Sequence, residues 1–185
     1  MDKLRIFISS TMQDLQSERK AVTDAINKNR FWQSVNAESF VARSESPREV
    51  CLEEIRKSHI YIGIFKNCYG YIPKNNNPEG YSVTALEYYE ARNNKLPIFI
   101  FVYKNAKNRE EKLKEFLKEI TDFDTGHWRK EYYTIKELIK YVIDAINSEI
   151  TKEYVENNNS RKKTHINEIY KLPYFKNLKK RFKYE

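Results

Sequence analysis

The stretch RIFISSTMQDLQSER, residues 5–19, contains the first strand-to-helix unit of the chain. Its apolar run, Ile6–Ile8, stops abruptly at three hydroxyl residues, Ser9, Ser10 and Thr11. A pattern with helical spacing follows, so the stretch predicts a buried strand, a short polar turn and an amphipathic helix. Hydroxyls at such a turn either cap the helix or hold phosphate and ribose oxygens beside exposed backbone N–H groups. Both interpretations stay open at this point.

The same order of strand and helix recurs along the whole chain. Apolar strands that alternate with amphipathic helices predict a parallel sheet covered by helices on both faces. With right-handed crossovers, the pattern predicts five strands in the order 2-1-3-4-5. The predicted strands cover residues 4–8, 34–40, 59–65, 97–103 and 127–132, and the predicted helices cover 14–28, 47–58, 82–94, 107–120 and 135–150.

Ligands of such sheets bind at the carboxyl ends of the strands. The turn after the first strand, the 40–47 loop and the 66–81 loop all lie at that edge of the predicted sheet. We therefore expect the functional residues in these three segments and at the helix that follows the last of them.

Composition restricts the class of protein. With 185 residues, 40% of them hydrophobic, the chain is long and apolar enough to bury a core. No apolar run approaches the roughly 20 residues of a membrane span, and the first residues lack the layout of a signal peptide. The two cysteines have no CxxC spacing and are expected to be reduced thiols, so we predict a cytoplasmic protein.

The formal net charge is +8, and most of it lies near the C-terminus. From residue 151 onward ten Lys/Arg and four Asp/Glu give +6, which leaves +2 for the preceding body. We therefore divide the chain into an α/β domain, residues 1–150, and a basic aromatic tail, residues 151–185. Within the tail, ENNNSRKK predicts a polar linker. Weak contact with nucleic acid is expected for the tail rather than for the body.

Four blocks of sequence, in order and suitably spaced, carry a family resemblance. They are FISSTMQDLQSER, SPREVCLEEIRKSHIYIGIFKNCYGYIP, SVTALEYYEA and LPIFIFV, and they span most of residues 5–103. In these blocks the chain resembles a domain family of unknown function, the 4062 type, found ahead of NACHT-type ATPase or tetratricopeptide modules in prokaryotic proteins. That family is in turn similar to TIR domains, which implies a flavodoxin-like, five-stranded fold.

The resemblance implies a catalytic carboxylate at Glu87. TIR domains serve as self-association modules in signalling, and some cleave NAD at the nicotinamide–ribose bond with one glutamate of the third helix, which Glu87 matches. With Ser82 as the helix cap, Glu87 lies in the second turn. It follows Val83 by four residues, and Val83 and Leu86 are expected to mark the inward face. The residue pattern alone leaves open a structural ion pair with a neighbouring arginine.

One carboxylate is enough for this reaction. O-Glycosidases generally need an acid as well, to protonate the leaving oxygen. The nicotinamide of NAD already carries a positive charge and leaves as a neutral molecule. The site therefore only has to stabilise an oxocarbenium-like ribose and position the acceptor.

A set of nucleotide-binding residues is expected around Glu87. It contains hydroxyls at the first turn and at the start of the third helix, aromatic rings that flank the 66–81 loop and are placed to stack on a base, and one arginine. In TIR relatives the loop that holds this arginine gates the site and joins protomers, although a solvated loop is the open alternative. The set is Ser9, Ser10, Thr11, Arg43, Tyr69, Tyr81 and Ser82.

Other polar residues have structural interpretations. Glu18 and Arg19 lie close to the apolar stripe of the first helix and predict a salt bridge. Cys51 lies on an apolar helical face and is predicted to be a core residue rather than a nucleophile. The three histidines show no ligand spacing with the cysteines or with each other, so no metal site is predicted, and no cofactor is expected to be required.

The leading functional hypothesis is a TIR-like nucleotide-processing and signalling domain that cleaves the N-glycosidic bond of NAD, in prokaryotic defence. NAD or a related nucleotide is the expected ligand, a homo-oligomer is expected to complete the site, and a regulatory protein is a further expected partner. Two alternatives stay open. One is a non-catalytic module for self-association, and the other is an enzyme resembling nucleoside deoxyribosyltransferases, which also use a glutamate at a glycosidic carbon.

Overall fold

Five parallel strands form one sheet in the order β2-β1-β3-β4-β5, as the sequence predicts. The computed structural model describes residues 3–42 and 44–171, with side chains described through residue 159. The strands are β1 Leu4–Ser9, β2 Trp32–Val35, β3 Ile60–Phe65, β4 Ile98–Tyr103 and β5 Arg129–Tyr132. The helices are α1 Gln16–Asn27, α2 Pro47–Arg56, α3 Val83–Asn93, α4 Glu111–Ile120 and α5 Ile135–Lys171, with a short 3-10 helix at Ala37–Ser39.

Strand β3 lies at the centre of the sheet, and all of its residues are buried. A parallel strand covered by helices on both faces has to be apolar along its whole length, which explains the run IYIGIF. In the register between β1 and β3, Phe7 pairs with Tyr61 and Ser9 pairs with Gly63. This register brings the hydroxyl turn that follows β1 beside the end of the central strand.

Two predicted elements differ most from those found, and the predicted helix 107–120 begins only at Glu111. The second strand ends at Val35 instead of Phe40, because the chain turns at Asn36 into the 3-10 helix. There the Asn36 N–H donates to the Ser39 hydroxyl at 3.3 Å, and the Asn36 amide donates to Thr23 at 2.8 Å. The last helix continues to Lys171 through the predicted linker, since neither proline nor glycine interrupts residues 135–172. The aromatic part of the tail lies outside the described residues.

The chain divides into two compact units, Met1–Ala145 and Ile146–Glu185, and α5 passes from one to the other. The core of the first unit contains an aromatic cluster around Phe116 of α4. Four other rings, from β3, α3 and the loop between them, have their centroids 5.5 to 6.1 Å from the Phe116 ring, each edge to face; they are Phe65, Tyr69, Tyr88 and Tyr89. Edge-to-face contacts add to the stabilisation from area burial. The cluster therefore fixes α4 and α3 to the central strand.

Replacing Phe116 tests this core. Phe116→Ala should lower the free energy of unfolding by about 3–5 kcal/mol, the usual cost of emptying a buried aromatic site. Phe123→Ala is the matched control, since that ring is 94% exposed, and it should change the free energy of unfolding by about 0.5 kcal/mol or less. Urea unfolding of both variants measures the difference. Equal decreases in the two variants would contradict the role assigned to the cluster.

Candidate active site

Helix α3 delivers Glu87 to the carboxyl edge of the sheet. The helix begins after Ser82, whose side-chain oxygen accepts a hydrogen bond from the Ala85 N–H at 3.2 Å. This confirms Ser82 as the cap and places Glu87 in the second turn. Only 8% of Glu87 is exposed.

The predicted inward face of α3 is wrong in one respect. Val83 and Leu86 are half-buried rather than inward-facing. The inward positions are two alanines, which let the helix approach its neighbours closely, and three residues that carry polar groups, so a hydrophobic pattern does not reveal this face. The buried residues of the helix are Thr84, Ala85, Glu87, Tyr88 and Ala91.

The hydroxyl of Ser9, at the end of β1, donates to Glu87 Oε2 at 2.5 Å. Ser9 is 1% exposed, so this hydrogen bond lies out of water. Two residues that the sequence placed in one site, 78 positions apart in the chain, are therefore in direct contact. A hydroxyl that donates to a carboxylate stabilises the ionised form of the acid.

The next hydroxyl of the turn, that of Ser10, accepts a hydrogen bond from Arg19 of α1. Arg19 Nη1 donates to the Ser10 carbonyl oxygen at 2.9 Å and to the Ser10 hydroxyl at 2.8 Å. The same guanidinium forms a two-point ion pair with Glu38, with Nε to Oε1 at 2.7 Å. The predicted salt bridges are thus confirmed, Arg19 with Glu38 and Glu18 with Lys66 at 3.1 Å.

The third hydroxyl of the turn organises the 66–81 loop. Thr11 donates to Asp14, and the other oxygen of Asp14 accepts from the backbone N–H groups of Asn67 at 2.8 Å and Cys68 at 3.2 Å. None of the three turn hydroxyls caps α1, because its N-cap residue is Leu15 and no side chain bonds there. The capping interpretation of this turn is therefore wrong, and its hydroxyls instead position Glu87, Arg19 and Asp14.

Gly70 lets the 66–81 loop pass close to the hydroxyl turn that follows β1. Its φ of +100° is in the region that favours glycine. A Cβ at Gly70 would lie 3.1 Å from Thr11 Cγ2 and 3.4 Å from Thr84 Oγ1. The loop backbone thus covers the junction between the β1 turn and the start of α3, next to Glu87.

Burial raises the pKa of Glu87 from its usual 4.5 to about 7. The hydrogen bond from Ser9 and the positive charge of Arg19 act in the opposite direction, and so does a hydrogen bond with Cys51. No ion pair within 4 Å joins Arg19 to Glu87, because the Arg19 donors are directed to Ser10 and Glu38. Glu87 is therefore a carboxylate that one hydroxyl, one thiol and a nearby charge stabilise without a contact ion pair to Arg19.

Two neighbours of Glu87 were read from the sequence as core residues. Cys51 is a buried core residue, as predicted, and burial, with the Glu87 charge, raises the pKa of its thiol to about 12. Tyr61 of β3 is fully buried, and its hydroxyl has no hydrogen-bond partner among the described residues. Burial and the Glu87 charge raise the Tyr61 pKa well above its usual value. Nothing in the apolar run HIYIGIF signalled that this hydroxyl lies beside the site.

The remaining predicted nucleotide-binding residues are two tyrosines and one arginine, and no contact with Glu87 is seen for them among the described residues. The Tyr69 ring is 7% exposed and packs edge to face on Phe116 at 5.8 Å, and the half-buried Tyr81 ring lies 4.6 Å from that of Tyr89. Both rings thus have protein partners, and base stacking stays a prediction for them. Arg43 lies outside the described residues.

Neither a metal centre nor a membrane span is found in the described part of the chain. Within it, no group of three His, Cys, Asp or Glu side chains is arranged to hold a metal ion. No helix there combines the length and the apolarity needed to cross a bilayer.

The fold and the site together define a five-stranded parallel α/β domain with a buried carboxylate at the carboxyl edge of its sheet. The chain belongs to the family described as "Domain of unknown function (DUF4062)", which matches residues 5–147. The predicted family is thus confirmed, while its position ahead of other modules stays a prediction.

Similarity to two curated relatives covers only part of the chain. "Telomerase protein component 1" is 30% identical in Mus musculus, over 45% of this chain, and 29% identical in Rattus norvegicus, over the same share. The chain spans only 4% of the length of each of these relatives.

Partial similarity to solved structures is also found. The CMP N-glycosidase BcmB of Clostridium botulinum has a TM-score of 0.48 at 12% identity, with 75% of this chain and 96% of that chain covered. A conserved protein of Enterococcus faecalis has a TM-score of 0.40 at 10% identity, with the same coverage.

The raised pKa of Glu87 predicts a pH-dependent contribution to stability. The folded-state pKa lies above the unfolded value, so the folded protein favours the protonated acid. The contribution is fully present below pH 4.5, is lost as the pH rises towards 7, and changes no further above it. A rise from 4.5 to about 7 corresponds to about 3 kcal/mol.

Urea unfolding of the wild type and of Glu87→Gln across this pH range measures the effect. The free energy of unfolding of the wild type should fall relative to that of Glu87→Gln by about 3 kcal/mol between pH 4.5 and 7.5. Glu90→Gln keeps the buried acid, so its curve should follow the wild type in the same window. Parallel curves for the wild type and Glu87→Gln would show that Glu87 titrates like a solvated acid.

Proposed function

We propose that this domain processes nucleotides and, most concretely, that it cleaves the bond between nicotinamide and ribose in NAD. The observation that carries the proposal is the Glu87 carboxylate. It lies at the ligand edge of the sheet, 8% exposed, with Ser9 as its donor and no contact ion pair to Arg19. An acid used only for structure would normally be neutralised by a direct pair when buried this deeply.

The reaction needs an anion where positive charge develops. As the glycosidic C–N bond breaks, its electron pair leaves with nicotinamide, and the ribose carbon takes on cationic character. The ionised Glu87 carboxylate stabilises this cation electrostatically, in surroundings where few waters compete. Water then forms the new C–O bond and releases one proton. Nicotinamide leaves neutral, so a single carboxylate is sufficient.

Two neighbours of Glu87 have positioning roles in this scheme. The Ser9 hydroxyl fixes one carboxylate oxygen, and the Arg19 charge favours the ionised state from a distance. Because so little of Glu87 faces solvent, a nucleotide reaches it only when the 66–81 loop moves or a second copy reshapes the edge. Self-association is therefore part of the proposal, as the resemblance to TIR domains implies.

Glu87→Gln is the central test. It keeps the size of the side chain and removes the charge, so the rate of nicotinamide release should fall about 100- to 1000-fold. Glu90→Gln, three residues on in the same helix, removes a carboxylate that pairs with Arg56 at 2.6 Å and should keep the wild-type rate. Chromatography of concentrated protein incubated with NAD gives both rates. Full activity in both variants would show that Glu87 is not catalytic.

The same assay, extended to NADP and nucleosides, separates the proposal from its two alternatives. Base exchange between nucleosides would favour the transferase. A protein that forms oligomers but leaves every nucleotide intact would favour the non-catalytic module.

The pH dependence of kcat/KM provides an independent test. Only ionised Glu87 stabilises the ribosyl cation, and its pKa is raised to about 7 by burial. The value of kcat/KM should therefore fall about tenfold per pH unit well below pH 7 and be constant above pH 8. A profile that stays flat from pH 5.5 to 8 would mean that the catalytic group has an ordinary carboxyl pKa. In that case Glu87 is not that group.

A further inference from the structure

A large open groove lies at the other side of the sheet, along the edge strand β5. Its volume is about 1020 Å³, and it is lined by residues of α4, the 121–128 loop, β5 and the start of α5. In the sheet order, β3 and β4 separate this edge from β1, whose last residue holds Glu87. The groove is therefore a separate surface from the candidate active site.

The groove is strongly basic. Its two carboxylates are already engaged within the protein, because Glu131 accepts from Lys104 and lies 3.6 Å from Arg129, while Asp122 accepts three hydrogen bonds from its own loop. The basic side chains that line it come from α4, β5 and the segment after β4. They are Lys104, Arg109, Lys114, Lys118, Arg129 and Lys130.

Two aromatic rings in the same groove face solvent. Phe123 is 94% exposed and Trp128 is 88% exposed. Charged side chains on an edge strand discourage pairing with other strands, which accounts for Arg129 and Lys130 without any ligand. That account does not extend to two large exposed rings, which cost solubility and add nothing to edge protection.

The loop that presents these rings is held in one shape. One oxygen of Asp122 accepts from the N–H groups of Asp124 and Thr125 at 3.1 and 3.0 Å and from the Thr125 hydroxyl at 2.9 Å. A Cβ at Gly126 would lie 2.3 Å from the Asp122 nitrogen, so the loop closes only with glycine there. The rings are thus presented by an ordered loop, which lowers the entropy cost when a ligand stacks on them.

From this combination we propose that the β5 groove binds single-stranded nucleic acid. Positive side chains follow a phosphate backbone, and exposed rings stack on bases, which are accessible in single strands and hidden in duplexes. The sequence predicted such binding only for the tail, because charges from distant segments average to a nearly neutral body. Folding gathers them into one groove.

Tryptophan fluorescence tests the proposal in the full chain. The chain has two tryptophans, of which Trp32 is 7% exposed and Trp128 is 88% exposed. Titration with a single-stranded oligonucleotide of about 10 uridines or thymidines should quench the Trp128 emission through stacking. Trp128→Phe should abolish the change, and Trp32→Phe should retain it. A titration without quenching would overturn the proposal.

Affinity measurements with a labelled oligonucleotide test stacking and charge separately. Trp128→Ala should weaken binding about 5- to 150-fold, the range for removal of one stacked base. Phe31→Ala, a 46% exposed ring elsewhere, should leave the affinity unchanged. The double variant Lys118→Ala with Lys130→Ala should bind with a weaker salt dependence. The magnitude of the slope of log affinity against log salt should fall by about 1.4, or about 0.7 for each phosphate that is no longer neutralised.

The control for the lysine pair is Lys3→Ala with Lys28→Ala, two exposed lysines outside the groove, which give the same net charge. Equal effects of the two pairs would mean general attraction of a basic chain and would overturn the proposal. If Trp128→Ala leaves the affinity unchanged, the nucleic acid binds to the tail and not to the groove, which would also overturn the proposal. Equal affinity for a duplex or for polyglutamate would likewise overturn the proposal, because neither offers bases for stacking.

Discussion

An acid that is almost wholly removed from water sets the conditions that the carboxyl edge of this sheet has to meet. A buried charge is costly unless donors or opposite charges surround it. Here Ser9 comes from β1, Cys51 from α2 and the positive charge of Arg19 from α1, so three elements converge on one carboxylate of α3. The site therefore exists only in the assembled fold, because none of these interactions is local in the sequence.

The hydroxyl turn shows how a short segment can organise such an edge. Ser9, Ser10 and Thr11 each bond to a different charged side chain, and those side chains in turn fix α3, the 3-10 segment and the 66–81 loop. A strand that ended in apolar residues would remove one donor each from Glu87 and Asp14 and one acceptor from Arg19. A phosphate at these hydroxyls would have to displace Glu87, Arg19 or Asp14, which favours a role for the turn in positioning residues rather than in binding phosphate directly.

The fold was largely predictable from the sequence, and the site only in outline. Continuous apolar runs and amphipathic spacing identify the strands and helices, because burial on both faces leaves β3 no other composition. The resemblance pointed to Glu87, but its hydrogen bond with Ser9 depends on the rotation of α3, whose small inward residues misled the hydrophobic pattern. In the sequence Tyr61 is one more residue of an apolar strand, and only the fold shows that its hydroxyl lies near the Glu87 charge. The basic groove was hidden because its cations are spread over residues 104–130 among carboxylates, two of which pair with Lys104 and Lys114 of the groove itself.

The hydrogen bonds of Arg19 explain how Glu87 stays free of a contact ion pair at the carboxyl edge of the sheet. A direct contact ion pair would hold the acid ionised, but it would also neutralise the charge that the proposed chemistry needs. Glu38 and the Ser10 oxygens occupy the guanidinium donors, so Arg19 acts on Glu87 only through space. Burial raises the pKa of Glu87, the Ser9 hydrogen bond and the positive charge of Arg19 lower it, and the balance lies near 7, where the carboxylate is partly ionised and still unpaired with Arg19. Glu38, from the 3-10 helix after β2, therefore contributes to the site in two ways, because it pairs with Arg19 and its own negative charge raises the pKa of Glu87.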